Sequence, residues 1–334
     1  MLPLVSIIIP CFNAGRWLSE AINSCLHQTY QNIEIIVIDD GSNDNSLEII
    51  KNFSHQIIWK SIPRSGGNFA RNLGFSLSQG EYIQFLDADD YISPEKIARQ
   101  VDFLEKKSVD IVYGDWRHKY HLPDGTSFLG DIKISGTQTD ILESLLGTWW
   151  VALAAFLYRR SLIINSQGWD EKLFAAQDRD FLISLVINGA KVDYQPGCYS
   201  IYRRYGNITV STRSKEFWIS SHLLVLNKSE QQLIKLNRLS TNYHQAIALS
   251  YFYLAREVLL IDYSAYLELL EQALLHFPKF KNKNKSLIYQ ILQNYLGFRQ
   301  TERIACYVLL LNKLYHLIRN QSLWHPKKFP FIPV

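Results

Sequence analysis

Three apolar runs in the first ninety residues each stop at residues that end a core strand. Val5-Ser6-Ile7-Ile8-Ile9 ends at Pro10, Glu34 to Ile38 ends at Asp39-Asp40-Gly41-Ser42, and Tyr82 to Leu86 ends at Asp87-Ala88-Asp89-Asp90. Short β-branched runs without polar alternation predict strands buried on both faces, as in parallel sheets covered by helices. Helical spacing fills the gaps: Trp17, Leu18, Ala21, Ile22, Cys25 and Leu26 mark one face, and Leu47 and Ile50 mark another within Asn43 to Phe53. Gly66-Gly67 opens a helix through Leu77, and Pro94 to Lys106 turns Ile97, Val101 and Leu104 inward. With strands at Ile57 to Ser61 and Val109 to Tyr113, strand and helix alternate five times. That is an open α/β sheet, whose ligands bind at the carboxyl ends of strands. No G-x-G-x-x-G follows the first strand and no G-x-x-x-x-G-K-[ST] occurs, which disfavours a dinucleotide dehydrogenase and a P-loop NTPase.

Three acids in four positions would repel one another unless a cation sits among them. Side chains two apart on a strand point the same way, so Asp87 and Asp89 can converge on one point, with Asp90 as a third ligand. Mg²⁺ or Mn²⁺ suits such a site, because these ions take one or two carboxylates and complete their shell with substrate phosphates. The same residues also read as a solvated turn in which Asp90 or Ser93 caps the helix that Pro94 opens.

From Gly114 to Gly136 the pattern changes, and a β-hairpin is expected around Pro123-Asp124-Gly125. Val151 to Tyr158 reads as a strand, followed by a short helix to Asn165. A further helix runs from Asp178 to Asn188 with Phe181, Leu182, Leu185 and Val186 inward, and strands are expected at Lys191 to Gln195 and Tyr199 to Arg203. Beyond about Lys215 the spacing is helical only, at Gln245 to Leu260, Ser264 to Phe277, Leu287 to Leu296 and Thr301 to Ile318. Two domains are therefore expected, 1–215 and a helical extension 216–334. Charge divides with them: the first part holds 21 Lys and Arg against 24 Asp and Glu, the second 14 against 7. The four scattered cysteines form no C-x-x-C pair, which argues for a reducing, cytoplasmic setting and against a zinc site. No apolar stretch approaches the ~20 residues of a spanning helix. A basic, aromatic-rich helical tail allows peripheral contact with an anionic membrane face, packing on the first domain, or pairing with another subunit. Nucleic acid binding is disfavoured, since no reader motif occurs.

Four segments in order carry a resemblance: Val5 to Asn13, Val37-Ile38-Asp39-Asp40-Gly41-Ser42, Gly67-Asn68-Phe69-Ala70-Arg71-Asn72, and Gly80 to Asp90. Together the first 215 residues resemble the family 2 glycosyltransferases. The resemblance implies a GT-A fold, a mixed sheet flanked by helices, and an inverting transfer from a nucleotide-diphosphate sugar. It implies that Asp40, with Asp39 beside it, reads the base, and a carboxylate can accept the imide N–H of uracil or thymine. It places Pro10 in the loop over the base and Arg71 near ribose or diphosphate. Asp87 and Asp89 become a clamp for metal and diphosphate. Tyr202-Arg203-Arg204-Tyr205-Gly206-Asn207 resembles, loosely, the basic segment that closes over the diphosphate, with Arg203 as a ligand. The family's base is the Asp of a Glu-Asp pair before an apolar helix. Here Gln177-Asp178 stands in that place, so Asp178 is the expected base; by itself it also reads as a helix N-cap. Asp180 is expected on the surface, and Trp116, Trp149, Trp150 and Trp169 fall in segments expected to form the acceptor side. The acceptor is then a hydroxyl of a glycan, a lipid-linked sugar or a cell-surface polysaccharide. The rival expectation, prompted by Gln177, is a catalytically weak nucleotide-sugar-binding or scaffold protein acting through its helical tail.

Overall fold

The structure, a computed structural model, describes residues 2–206, 215–281 and 286–321. β1 (Val5–Cys11), β2 (Ile33–Asp40), β3 (Ile58–Ile62) and β4 (Tyr82–Phe85) are parallel, in the spatial order β3-β2-β1-β4. The chain steps outward from β1 to β3 and returns to β1's other side at β4, so the crevice past the carboxyl ends of β1 and β4 is the switch point where ligands bind. Ile7, Ile8, Ile9, Ile36, Val37 and Ile38 are fully enclosed, and each such side chain contributes about 1.5–3 kcal/mol by leaving water. That burial explains why these runs show no polar alternation. α1 (Leu18–Leu26), α2 (Ser46–Asn52), α3 (Gly67–Leu77) and α4 (Lys96–Lys106) provide the helical crossovers.

The sheet continues beyond β4 in mixed sense. β5 (Tyr91–Ile92) is a two-residue strand; β6 (Ile111–His121) and β7 (Ser127–Lys133) form the expected hairpin. α5 (Ile141–Leu146) is a short helix with no sequence expectation behind it, capped by the Asp140 side chain on the N–H groups of Leu142 and Glu143. The segment read as one strand from Val151 begins as a 3₁₀ turn at Leu153–Ala155, and only β8 (Phe156–Arg159) is extended. β8 runs antiparallel to both β4 and β6. α6 (Arg160–Ile164) and α7 (Gln177–Ile187) follow. The two last expected strands are one, β9 (Val192–Tyr205), with an irregular register opposite Asp115 where Gly197 takes φ +130°.

α3 carries Arg71 to the crevice, and its distance from the sheet is set by Gly74. A Cβ at Gly74 would collide with the Ile8 methyl of β1. Gly74→Ala should therefore cost about 1–3 kcal/mol, seen as a melting temperature several degrees lower; an unchanged melting temperature would show that α3 can move outward freely. α4 is held by an enclosed Lys96, whose ammonium donates to Gln84, to Gln100 Oε1 at 2.6 Å and to the Phe156 carbonyl at 3.1 Å. Burial without a counter-charge pushes its pKa well down.

The chain divides into two compact units, Met1–Ala246 and Ile247–Val334. The first therefore runs past the expected limit at residue 215. The reason is α8 (Lys215–Lys235), a helix that the spacing did not announce, which packs on α7. Its buried positions 219, 221, 225, 226, 229 and 233 include Ser221 and Ser229, and these polar residues hide the apolar periodicity. The second unit is helical as expected. α9 (Thr241–Val258) leads into it, and α10 (Tyr263–His276), α11 (Leu287–Leu296) and α12 (Phe298–Gln321) follow. Its polar centre is Glu302, which pairs with Arg256 at 2.6 Å and accepts the hydroxyls of Tyr266 (3.0 Å) and Tyr289. No helix among the described residues is long and apolar enough to cross a membrane. The aromatic, basic tail from Trp324 lies outside the described residues.

Candidate active site

The loops past β1 and β2 are stitched together by short polar groups. Ser42 and Ser46 hydroxyls accept the N–H groups of Asn13 and Ala14, and Asp44 accepts that of Gly15. Asn13 itself sits at φ +49°, a region that asparagine tolerates better than most residues. Pro10 is on β1 opposite Ile38, half-buried at the lip of this loop.

Asp39 and Asp40 both lie at the end of β2, buried, but differ in what they hold. Asp39 accepts the Ser42 N–H at 3.2 Å and the Ser61 hydroxyl at 2.6 Å. Asp40 is ion-paired with Arg64 and also accepts the N–H groups of Ser65 (2.6 Å) and Gly66 (3.0 and 3.1 Å to its two oxygens). Those contacts use the acceptor capacity of a carboxylate. Asp40 thus organises the turn into α3, and the expectation that it is the better base reader meets a full set of partners. Arg64, half-exposed, lies 3.4 Å from the centroid of the exposed Phe12 ring, an aromatic–cation pair at the crevice mouth that no motif announces.

Arg71 is the hub of the deeper crevice. Its Nη2 donates to Asp87 Oδ1 at 2.7 Å, and its Nη1 donates to Asn68 Oδ1 at 3.1 Å and Gln177 Oε1 at 3.4 Å. The guanidinium lies 4.7 Å over the Trp169 ring, and its buried Nε has no partner among the described residues. The neighbouring asparagines tie α3 to the segment that leads into α7. Asn68 donates to the Asp170 carbonyl at 2.6 Å, while Asn72 donates to the Trp169 carbonyl and accepts the Trp169 N–H, both at 2.9 Å. The Asn-Phe-Ala-Arg-Asn run is therefore a connector between the acidic cluster and the expected base.

The three acids past β4 separate in role. Asp87 pairs with Arg71, and Asp89 Oδ2 accepts the Tyr205 hydroxyl at 2.9 Å; both stay partly exposed. Asp90 turns inward, where its Oδ1 accepts the Arg203 N–H at 2.8 Å. Burial, then repulsion from neighbouring acids, raises the pKa of Asp89 and raises that of Asp90 well above the ordinary range. The three do not gather as one three-ligand cluster within 4.8 Å. The expectation that Asp90 is a metal ligand meets an enclosed carboxylate that serves as an acceptor for β9.

Arg203 also departs from expectation. Its side chain is 0% exposed, held by Glu20 at 2.7 Å, the Asp89 carbonyl at 2.6 Å and His121 Nε2 at 2.8 Å. Its guanidinium lies 4.2 Å from the Trp17 ring centroid and 5.3 Å from that of Tyr91. Strand alternation decides this, since one face of β9 goes inward and takes Arg203 with it. As placed, the guanidinium is committed to protein acceptors and is not open to the crevice. Arg204 lies on the other face, 4.9 Å from the Tyr202 ring.

Asp178 stands in the first turn of α7, after Ala176 at φ +55°. Its Oδ2 accepts the Trp150 indole N–H at 2.7 Å and its Oδ1 the Arg179 N–H at 2.9 Å. Burial raises its pKa and the nearby Asp87 adds to the rise; the Trp150 and Arg179 hydrogen bonds and Arg71 act the other way. A cavity of about 20 Å³ lies behind the pair, lined by Leu145, Trp149, Val151, Leu153, Tyr158 and Leu182 among others. Asp180 is not a surface group: it is 4% exposed and pairs with Lys228 of α8 at 2.9 Å, as Asp170 does. Among the four tryptophans, Trp169 stacks on Phe181 at 4.2 Å and Trp149 donates to the Ser135 carbonyl at 3.2 Å. Trp116 is buried edge-on to Trp150, and of the four only Trp150 is widely open, at 41%.

Parallel strands ending in acids at a switch point, a mixed second half and a carboxylate facing them across the crevice define a GT-A glycosyltransferase fold. S. aureus TarS shares it: the crystal structure of its residues 1–349 with UDP matches at TM-score 0.61 and 18% identity, over 83% of this chain and 81% of that one. The same S. aureus fragment with UDP-GlcNAc matches at TM-score 0.57 and 17% identity, over 83% and 91%. Residues 6–164, a little under half of the chain, match the family described as Glycosyl transferase family 2. An uncharacterized glycosyltransferase of Haemophilus influenzae is 42% identical over 119 residues, 34% of this chain and 48% of that protein, so the match spans about half of that relative. The glycosyltransferase GlyG of Streptococcus pneumoniae is 28% identical over 244 residues, 68% of this chain and 80% of that protein.

Proposed function

We propose that this glycosyltransferase moves a sugar, with inversion, from a nucleotide-diphosphate sugar to a hydroxyl of a glycan, lipid-linked or cell-surface polysaccharide acceptor. The carrying observation is that Asp178 and the Arg71–Asp87 pair face one crevice, joined through Gln177. Single displacement needs a proton acceptor on one side of the anomeric carbon and a stabilised leaving group on the other. Asp178 supplies the first and takes the acceptor hydroxyl's proton as that oxygen attacks. Arg71 supplies part of the second, with an unspent Nε donor suited to an anion. Trp150 offers an open aromatic face beside Asp178 for a sugar ring.

A divalent cation fits the acidic end. Asp87 and Asp89 offer hard oxygens in mutual repulsion, with Arg71 and Arg203 as the nearby cations. These two would hold Mn²⁺ or Mg²⁺, which when bound supplies charge neutralisation for the departing diphosphate. Asp39, which has fewer partners than Asp40, is our candidate for reading a base, with Pro10 shaping the loop above it. UDP is the first nucleotide to test, because an imide N–H suits a carboxylate and because the fold neighbour TarS was crystallised with UDP. The setting we infer is the cytoplasmic face of a membrane or the cytoplasm, where such donors are made available.

A thermal-shift panel of nucleotides and nucleotide sugars tests this reading. At a ligand concentration of about 100 Kd, native-state binding adds about 2.7 kcal/mol, or roughly 5–10 °C for a unit of this size. UDP with Mn²⁺ should give that shift, and Asp89→Asn should lose its Mn²⁺-dependent part. No shift with any nucleotide, with or without metal, sinks the proposal. Tight nucleotide binding with no product over long incubation would support the scaffold alternative.

A further inference from the structure

Two features beside Asp178 have no counterpart in the motifs. The first is the indole of Trp150, whose N–H meets Asp178 Oδ2 at 2.7 Å across 28 residues of chain. The second is Arg179, the residue after Asp178. Its guanidinium donates to three carbonyls in a row at the end of α5, those of Leu145 (2.9 Å), Leu146 (3.0 Å) and Gly147 (2.9 Å). Its Nη1 meets His222 Nδ1 of α8 at 3.1 Å. These carbonyls lie at the C-terminal end of α5, and Thr148 alone separates them from Trp149 and Trp150. The turn of α7 that carries Asp178 therefore grips the segment that carries Trp150, and Trp150 reaches back to Asp178.

We propose that Trp150 is the positioning residue of Asp178, with Arg179 holding the α5–Trp150 segment in register, so that the carboxylate presents a fixed pair of remaining lone pairs to the acceptor. The inference rests on Asp178 being the base. A carboxylate has about four acceptor sites; the indole N–H takes one on Oδ2 and the Arg179 N–H one on Oδ1. Trp116 and Tyr202 pack edge-on against the indole at 4.9 and 5.7 Å and stop it swinging. The ring thus orients the base while leaving one face open to the crevice. The charged and titratable groups around Asp178 are Arg71 on α3, Asp87 after β4, Tyr158 on β8 and Arg179 on α7.

The decisive measurement needs no substrate. In the full chain labelled with ¹⁵N at its eight tryptophans, the indole peak that Trp150→Phe removes should shift as pH is lowered from about 8 to about 4.5, the range that brackets a raised carboxylate pKa. In Asp178→Asn that titration should vanish. A Trp150 peak that ignores both pH and Asp178→Asn overturns the proposal. In parallel, release of UDP from UDP-GlcNAc with Mn²⁺ should fall roughly 10- to 100-fold in Trp150→Phe, the cost of a misplaced reacting group. UDP affinity should stay within about twofold, and the acid limb of the pH–rate profile should move to higher pH, because the variant loses a hydrogen bond to the charged form. Trp150→Phe with wild-type turnover and an unmoved acid limb also overturns it. If the peak titrates as expected but Asp178→Asn still releases UDP at the wild-type rate, the pair is real and the base assignment is what fails.

Discussion

Asp178→Asn should abolish sugar transfer while leaving nucleotide affinity within about twofold of wild type. General-base catalysis contributes about 10²- to 10⁴-fold, so a loss of that size is expected in kcat. Asparagine keeps the size of the side chain, and its carbonyl can still accept the Trp150 indole N–H, so the local packing should survive. The wild-type pH profile follows from the same site. Only ionised Asp178 can take a proton, and burial together with Asp87 raises its pKa. Activity should therefore be full above that raised pKa and fall as pH drops through it, at a higher pH than for an ordinary carboxylate. Measured kcat within a few-fold of wild type in Asp178→Asn would move the base elsewhere.

Arg203→Met should unfold the first unit more easily and leave nucleotide recognition intact in what remains folded. The substitution keeps an apolar stem between Trp17 and Tyr91 but removes the donors to Glu20, His121 and the Asp89 carbonyl. Charge-assisted hydrogen bonds and cation–π contacts of this kind are together worth about 3 kcal/mol. Glu20 is 43% exposed and can return to water, which keeps the loss from being larger. The expected fall in melting temperature is roughly 6–12 °C. If stability is unchanged and UDP affinity instead drops tenfold or more, Arg203 is a diphosphate ligand and its enclosed position is not the functional one.

The fold was legible because β1, β2 and β4 are buried on both faces over most of their length, which writes a nearly unbroken apolar run for each. The acids after β2 and β4 were legible for the opposite reason, since such groups stand out immediately after a core strand. What failed to show was α8, whose buried face mixes Ser221 and Ser229 with Ile219, Val225, Leu226 and Leu233, and so lacks the clean apolar stripe that marks a helix. The burial of Asp180 was hidden for a related reason. It depends on Lys228, 48 residues away, and no local spacing announces that pairing.

From Val5 to Asp90 the residues alone determine a parallel sheet with carboxylates at its switch point, because local burial and chain geometry decide both. Tertiary structure decides how those groups divide the work. Asp90 and Arg203 are drawn inside by the alternation of β9 against the Asp89-Asp90 turn, while Asp87 is left with Arg71. Asp178 receives an indole from a segment that precedes it by 28 residues. A hydrogen bond between distant residues carries no periodicity, so only the folded chain reveals which donor each acid meets.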